Sequence, residues 1–416
     1  MDIRIQHTSR SVLGEITLEG SKSISNRLLI IRALSSEKFR IDRISKAEDT
    51  LLLEKLLSQK STLYDCGTAG TTFRFLTAYF AIQKGEQVLT GSERMKQRPI
   101  GELVKCLRQI GANIEYLENE GFPPLLVKEP NFEIAERFIE IDASISSQFI
   151  SALLLIAPVL PHGLTIKLNS SVASRPYIQM TLSLLSYFGI EYGFENDLIN
   201  IAKQNYKGKD IIVEADWSAA SYYYVLAAFS DNTELQLNGL FIDSMQGDSI
   251  IQKIGDTFGV QTLFNSNGIK LVKKENKVVP FFEFDFQNYP DLAQSIAVLV
   301  AGKGIVGLFS GIESLKIKET DRIQALKSEL EKIGFSMIAL PGRFSKDSSK
   351  KFYQLEGSIN SEIKVSTYGD HRMALSFFPL GILNPVTIYA AEVVNKSYPN
   401  VWKDLKEIGY KIDLIK

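Results

Sequence analysis

The chain has 416 residues, 45% of them apolar, and sets 47 Lys and Arg against 48 Asp and Glu for a formal net charge of −1. That length exceeds one ordinary hydrophobic core and predicts two domains, while the balanced charge excludes a general electrostatic attraction to nucleic acid or an anionic membrane. Cys66 and Cys106 cannot build a disulfide framework, no C-x-x-C or His/Cys cluster reads as a metal site, and the most apolar run, Phe149 to Leu160, is shorter than the roughly 20 residues a bilayer-spanning helix needs.

In chain order, helix starts are predicted at Ser23, Thr71, Ser146, Ser218, Pro290 and Gly369, where a cap-type or turn residue precedes an apolar periodic run. These helices are rich in Ala, Leu and Ile and are expected to be buried. Between them lie more polar segments, each ending in an apolar residue, a glycine and an extended stretch, at Gly111, Gly189, Gly259, Gly334 and Gly409. A glycine stop followed by a strand explains each ending. The glycines recur every 70–80 residues or so, too far apart for a solenoid turn. A helix over about Asp49 to Gln59 supplies a sixth copy with a degenerate ending. Six units, each with an inner helix, an outer helix and strands, divide into two domains of three.

Cations and hydroxyls gather at the inner helix starts, where unpaired N–H groups and the helix dipole favour an anion. The first such segment, Gly20-Ser-Lys22-Ser23-Ile-Ser-Asn-Arg27, reads either as a phosphate pocket or as an ordinary Ser-capped helix with a solvated lysine. Gly67-Thr-Ala-Gly70-Thr-Thr-Phe-Arg74 is a tight turn that lets a ligand approach the backbone, and Glu93-Arg-Met-Lys-Gln-Arg98 is a basic loop ahead of a helix starting near Pro99. In Lys318-Glu319-Thr-Asp-Arg322 the charged residues share one helical face if the helix begins by Glu319, as a surface ion-pair network or as an acid/base site. Asp291 and Asp370-His371-Arg372, at the mouths of apolar helices, favour the second reading. Gly302-Lys-Gly-Ile-Val-Gly307 spells a dinucleotide fingerprint but runs helix to strand, the reverse of the required order. His162, between Pro161 and Gly163, reads as a loop residue.

Taken together the segments resemble the 5-enolpyruvylshikimate-3-phosphate synthase (3-phosphoshikimate 1-carboxyvinyltransferase) family. The carrying motifs are Gly20-Ser-Lys-Ser-Ile-Ser-Asn-Arg27, Ala69-Gly-Thr71 with Arg74, Arg98-Pro-Ile, Ser146-Ser-Gln148, Ser174-Arg-Pro-Tyr177, Tyr289-Pro-Asp291, Lys318-Glu-Thr-Asp-Arg322, Asp370-His-Arg372 and Lys396-Ser-Tyr-Pro399. The resemblance implies an α/β fold of two similar domains. Each would hold three βαβαββ repeats around buried helices, an inside-out α/β barrel, with the active site in the cleft between domains. Residues 1–18 with 216–416 would form one domain and 19–215 the other, with crossovers near 17–20 and 213–216.

It further implies that Lys22, Ser23, Arg27, Ser146, Ser147, Gln148, Ser174, Asp291, Ser314 and Lys318 bind shikimate 3-phosphate. Phosphoenolpyruvate would be held by Lys22, Gly70, Arg98, Gln148, Arg322, His371, Arg372 and Lys396. Asp291 and Glu319 would be the acid/base carboxylates, with Glu319 donating to C3 and Asp291 or Lys22 managing the hydroxyl proton. No metal or organic cofactor, no nucleic acid and no membrane partner is implied, and a cytoplasmic monomer is expected. The sequence departs from the usual family turn Gly-Asn-Ala-Gly-Thr-Ala-Met-Arg-Pro, which here reads Gly67-Thr-Ala-Gly-Thr-Thr-Phe-Arg-Phe75. Ser314 replaces an Asn that many members use, and Gln97 replaces an acidic neighbour of Arg98. The related transferase acting on UDP-N-acetylglucosamine carries a reactive Cys or Asp in a mobile loop, whereas Cys66 and Cys106 are placed elsewhere and read as buried, inert thiols. RNA-terminal phosphate processing on a related repeat would call for a basic, stacking surface, which the net charge disfavours.

Overall fold

All five glycine stops adopt the left-handed backbone that only glycine enters without strain: φ is 95° at Gly111, 78° at Gly189, 77° at Gly259, 101° at Gly334 and 102° at Gly409. These values come from a computed structural model that describes residues 1–170, 172–274, 279–344 and 350–415. The chain folds into two compact units, Met1–Ser21 with Lys46–Glu48 and Glu214–Lys416, and Lys22–Ser45 with Asp49–Val213.

The first unit holds three four-stranded sheets, each built as a parallel pair extended by two antiparallel strands. In the third, the chain's two ends meet: strand Asp2–His7 lies between Val386–Tyr389 and Tyr410–Ile415, antiparallel to both. The helices Trp217–Phe229, Ala293–Gly302 and His371–Phe377 are buried throughout, apart from half-buried Ser218 and Gly302, and the second packs against the other two. Helices buried on nearly every side in this way form the inside of a core. The second unit has two sheets of the same pattern and mutually packed helices Lys22–Leu34, Gly70–Phe80 and Ser147–Ile156. Its remaining sheet is only the parallel pair Ile41–Asp42 and Ile211–Ile212. The degenerate sixth ending is thus a copy that, among the described residues, lacks its antiparallel strands.

Several local expectations needed adjusting. Glu93–Lys96 is a one-turn helix capped by Ser92 rather than a loop, and the helix expected near Pro99 runs Gly101–Gln109. The helix expected from Thr71 starts at Gly70. Gly302 ends a helix and Val306 starts a strand, so the dinucleotide-like glycines have the reversed order expected of a decoy. Both cysteines are buried, and burial pushes the Cys106 thiol up to about 12. Among the described residues no helix is long and apolar enough to cross a membrane.

The Trp217–Phe229 helix carries three consecutive buried tyrosines, whose hydroxyls must find partners. Tyr223 pairs with Tyr398 at 2.7 Å, Tyr224 with Thr262 at 2.6 Å, and Tyr222 accepts from Arg372 at 3.3 Å. Just before this helix, buried Glu214 accepts from Trp217 Nε1, Phe241 N, Ser244 Oγ and Gln246 Nε2. At its first turn Ser218 donates to buried Asp248. Burial pushes the Asp248 carboxyl up to about 7 from its ordinary 3.8, and Asp291 adds to the shift, while Arg372 and the Ser218 hydrogen bond oppose it.

A carboxyl with a raised folded-state pKa binds its proton more tightly folded than unfolded, so stability from this group is present in acid and lost as pH rises from about 4 through 7. Asp248→Asn removes the titration. In denaturant melts across that range, wild type should lose stability relative to the Asn variant as pH rises, and parallel curves would show that Asp248 titrates like an exposed carboxyl.

Candidate active site

The sequence-predicted residues fall into two groups, one in each unit. In the first unit the organising group is Arg322, whose side chain is only 3% exposed. It is the first residue of helix Arg322–Lys332, and Asp321 caps that helix by accepting from Ile323 N and Gln324 N. A buried guanidinium needs acceptors for its N–H groups, and here three acids supply them. Arg322 Nε donates to Asp370 Oδ2 at 2.6 Å, Nη2 to Glu319 Oε2 at 2.7 Å, and Nη1 to Asp291 Oδ1 at 3.4 Å. Burial alone would lower the arginine's pKa, but Asp370, Glu319 and Asp291 outweigh it and hold the group above its ordinary value.

Arg372 completes the cluster. Its Nη2 lies 2.8 Å from Asp291 Oδ2, and its Nη1 donates to the Asp291 carbonyl and to Tyr222 Oη, each at 3.3 Å. Asp291 therefore bridges two guanidiniums from its place in the turn Pro290–Leu292. Asp370 also N-caps the helix His371–Phe377, accepting from Arg372 N at 2.8 Å. His371 is buried, its Nδ1 3.9 Å from Asp370 Oδ1. Lys396 Nζ donates to the Gly369 carbonyl at 2.8 Å. Ser314, in the turn Glu313–Ile317, and Lys318 just beyond it are half-buried on the segment that leads to Glu319.

One helical argument fails here. Glu319 precedes the helix, so its pairing with Arg322 is a loop-to-helix contact rather than a shared helical face. The cause is Asp321, which takes the cap position and delays the first turn.

In the second unit, Lys22 opens the helix Lys22–Leu34 and pairs with Asp49 at 3.0 Å. Arg27, one turn on, is buried among neutral acceptors: Nε donates to Thr181 Oγ1, Nη1 to the Ser23 carbonyl, and Nη2 to Ser151 Oγ and the Tyr177 carbonyl. Burial lowers its pKa to about 10. The basis for Gly70 is direct. A Cβ there would meet both terminal nitrogens of Arg98 at 2.6 Å, so the guanidinium rests on a residue with no side chain. Arg98 also donates to the Thr68 carbonyl at 3.5 Å, and buried Arg74 braces the same turn through the Gly70 and Pro99 carbonyls. Ser146 caps the helix beginning at Ser147 by accepting from Gln148 N, and Gln148 Nε2 donates to Thr71 Oγ1 at 3.1 Å. Ser174 holds the N-cap position of Arg175–Tyr187 in a left-handed backbone, φ 57°, with no capping hydrogen bond from its side chain.

Sequence reasoning did not foresee Asp49, Tyr222, Asp248, or Asp370 as the arginine's partner. Asp49 and Tyr222 lie far in sequence from the groups they meet, and no local pattern marks them. Among the described residues no group of His, Cys, Asp and Glu could hold a metal ion.

Comparison with known proteins places the chain in a family. The family model described as EPSP synthase (3-phosphoshikimate 1-carboxyvinyltransferase) matches residues 53–405. A 3-phosphoshikimate 1-carboxyvinyltransferase of Bacteroides fragilis is 42% identical over 399 residues, covering 95% of both chains. One from Buchnera aphidicola is 35% identical, again over 95% of each. Among solved structures, EPSP synthase from Acinetobacter baumannii superposes with a TM-score of 0.75 at 21% identity, covering 99% of this chain and 100% of that one. The enolpyruvyl transferase NikO from Streptomyces tendae gives 0.74 at 14% identity, over 99% and 98%. Those likenesses establish the two-domain inside-out α/β fold, and with the family model and the relatives' identity over nearly the whole chain, they make this protein a member of the EPSP synthase family.

Proposed function

We propose that the protein transfers the enolpyruvyl group of phosphoenolpyruvate to the 5-hydroxyl of shikimate 3-phosphate, releasing inorganic phosphate, as a step of aromatic amino-acid biosynthesis. The observation that carries the chemistry is the Arg322 cluster: two guanidiniums, Arg322 and Arg372, prearranged around the carboxylates Asp291 and Glu319. Both substrates carry a phosphate and a carboxylate, and converging cations with helix N-termini are what such anions require. Phosphoenolpyruvate is assigned to Lys22, Gly70, Arg98, Gln148, Arg322, His371, Arg372 and Lys396. Shikimate 3-phosphate is assigned to Lys22, Ser23, Arg27, Ser146, Ser147, Gln148, Ser174, Asp291, Ser314 and Lys318. The two compact units are read as the family's two domains, and the protein as a cytoplasmic monomer.

In the addition step the 5-hydroxyl oxygen bonds to C2 of phosphoenolpyruvate, its proton passes to a base, and C3 gains a proton to become a methyl group. Elimination then returns a proton from C3, re-forms the double bond and breaks the C2–O bond to phosphate. The two carboxylates need different proton affinities, and their settings differ. Glu319 touches one guanidinium and is freed whenever an incoming anion takes its place on Arg322, which suits a donor to C3. Asp291 is fixed between two guanidiniums, and it or Lys22 is assigned to receive the hydroxyl proton.

The direct test follows phosphate release from phosphoenolpyruvate. Release should require shikimate 3-phosphate, and release with UDP-N-acetylglucosamine alone would overturn the assignment. In the same assay Asp291→Asn and Glu319→Gln should each lower kcat by about 10²–10⁴-fold, the usual worth of a positioned acid or base, and near-normal turnover in either removes that residue from the scheme. Gly70→Ala should displace the Arg98 guanidinium and raise KM for phosphoenolpyruvate at least several-fold more than KM for shikimate 3-phosphate. Equal effects on both would mean that Arg98 does not serve phosphoenolpyruvate.

A further inference from the structure

Glu329 is a buried carboxylate that the reaction does not use. It sits on helix Arg322–Lys332 seven residues after Arg322, so both project from one face about 10 Å apart along the axis. Each reaches the same segment. Arg322 binds Asp370, while Glu329 Oε1 accepts from Tyr368 Oη at 2.5 Å and Oε2 accepts from Ser366 N at 3.2 Å. The helix and the segment are therefore joined by two rungs, one inside the candidate site and one behind it.

The segment between the rungs is strained. Tyr368 and Gly369 both have left-handed backbones, φ 54° and 67°, and a bulky side chain adopts that region only when its surroundings hold it there. This turn aims the Gly369 carbonyl at Lys396 Nζ and brings Asp370 to the helix cap and to Arg322. Burial, aided by Glu329, pushes the Tyr368 phenol up to about 12, so it remains a donor at any working pH. A third partner of Glu329 is Lys332, at 2.6 Å with its side chain half exposed, which an ordinary surface ion pair would explain. The bonds to Tyr368 and Ser366 are what such a pair leaves unexplained.

We propose that Glu329 and Tyr368 are positioning residues, a clasp that fixes residues 366–372 and so sets affinity for phosphoenolpyruvate without touching it. The inference rests on the assignment of Arg322, His371, Arg372 and Lys396 to that substrate. The assigned shikimate 3-phosphate ligands Asp291, Ser314 and Lys318 lie outside the clasped segment, so the two substrates should respond differently.

Tyr368→Phe, which removes one hydroxyl from a partly exposed side chain, should raise KM for phosphoenolpyruvate about five- to tenfold, leaving kcat and KM for shikimate 3-phosphate within about twofold. Glu329→Gln should act in the same direction, the double variant should be no worse than the more impaired single variant, and Lys332→Ala should match wild type. Additive losses, or equal rises in both KM values, would overturn the clasp. Hydrogen exchange over residues 366–372 reads it without turnover: faster exchange in Tyr368→Phe and Glu329→Gln but not Lys332→Ala supports it, and unchanged exchange in all three sinks it. Wild type inactive with shikimate 3-phosphate would instead overturn the proposed function, leaving the exchange result to decide the clasp.

Discussion

A guanidinium is costly to take out of water unless its N–H groups find acceptors, and the first unit's candidate site follows from how Arg322 meets that demand with carboxylates. Three carboxylates from three separate segments converge on it: Asp291 from a turn, Glu319 from a loop, Asp370 from a helix cap. Removing any one would leave a buried charge short of a partner, so the segments are fixed relative to one another by electrostatics as well as by packing. An arriving anion can take over that role, since a substrate carboxylate or phosphate offers the same acceptors. In the proposed reaction, the carboxylate so displaced is the one assigned to donate to C3.

The second unit solves the same problem with neutral groups. Arg27 is as buried as Arg322, yet its donors end on hydroxyls and carbonyls, and its pKa falls where that of Arg322 rises. A cation surrounded by neutral acceptors leaves its charge uncompensated and available to an incoming anion. Arg322 is therefore met by carboxylates and Arg27 by neutral acceptors. Both are arginines near the starts of their helices, and the sequence around them does not announce the difference.

What the sequence made legible was periodic or local. The glycine stops could be located because an amphipathic run that meets a glycine and then an extended stretch matches the way a helix ends in a left-handed residue, and all five hold. The buried helices were recognisable from composition, and the family from nine short motifs in order. What stayed hidden was long-range. Asp49 meets Lys22 across 27 residues and Asp370 meets Arg322 across 48, and neither separation leaves a trace in local spacing. The short distance from Glu319 to Arg322 misled in the other direction, because spacing suggests a helical face only if the helix has begun, and Asp321 decides that it has not. The sixth repeat looked degenerate in sequence because its antiparallel strands are missing from the described sheet, not because a glycine had been replaced.

The departures from the usual family turn fall where they have structural partners. The Asn position is Thr68, which serves Arg98 through its carbonyl, a contact indifferent to the side chain. The second threonine, Thr72, donates to the Asp49 carbonyl at 3.1 Å and so ties the turn to the residue that pairs with Lys22. Phe75, where the family has proline, places its ring 5.6 Å from the Arg27 guanidinium, a favourable seat for a buried cation lacking a carboxylate. Thr72 and Phe75 thus lie close to cations assigned to substrate, the Thr68 contact is independent of its side chain, and Gly70, where the Arg98 guanidinium leaves no room for a side chain, is kept. A turn can change its residues and keep its chemistry when the contacts that matter run through backbone carbonyls and through the absence of a Cβ.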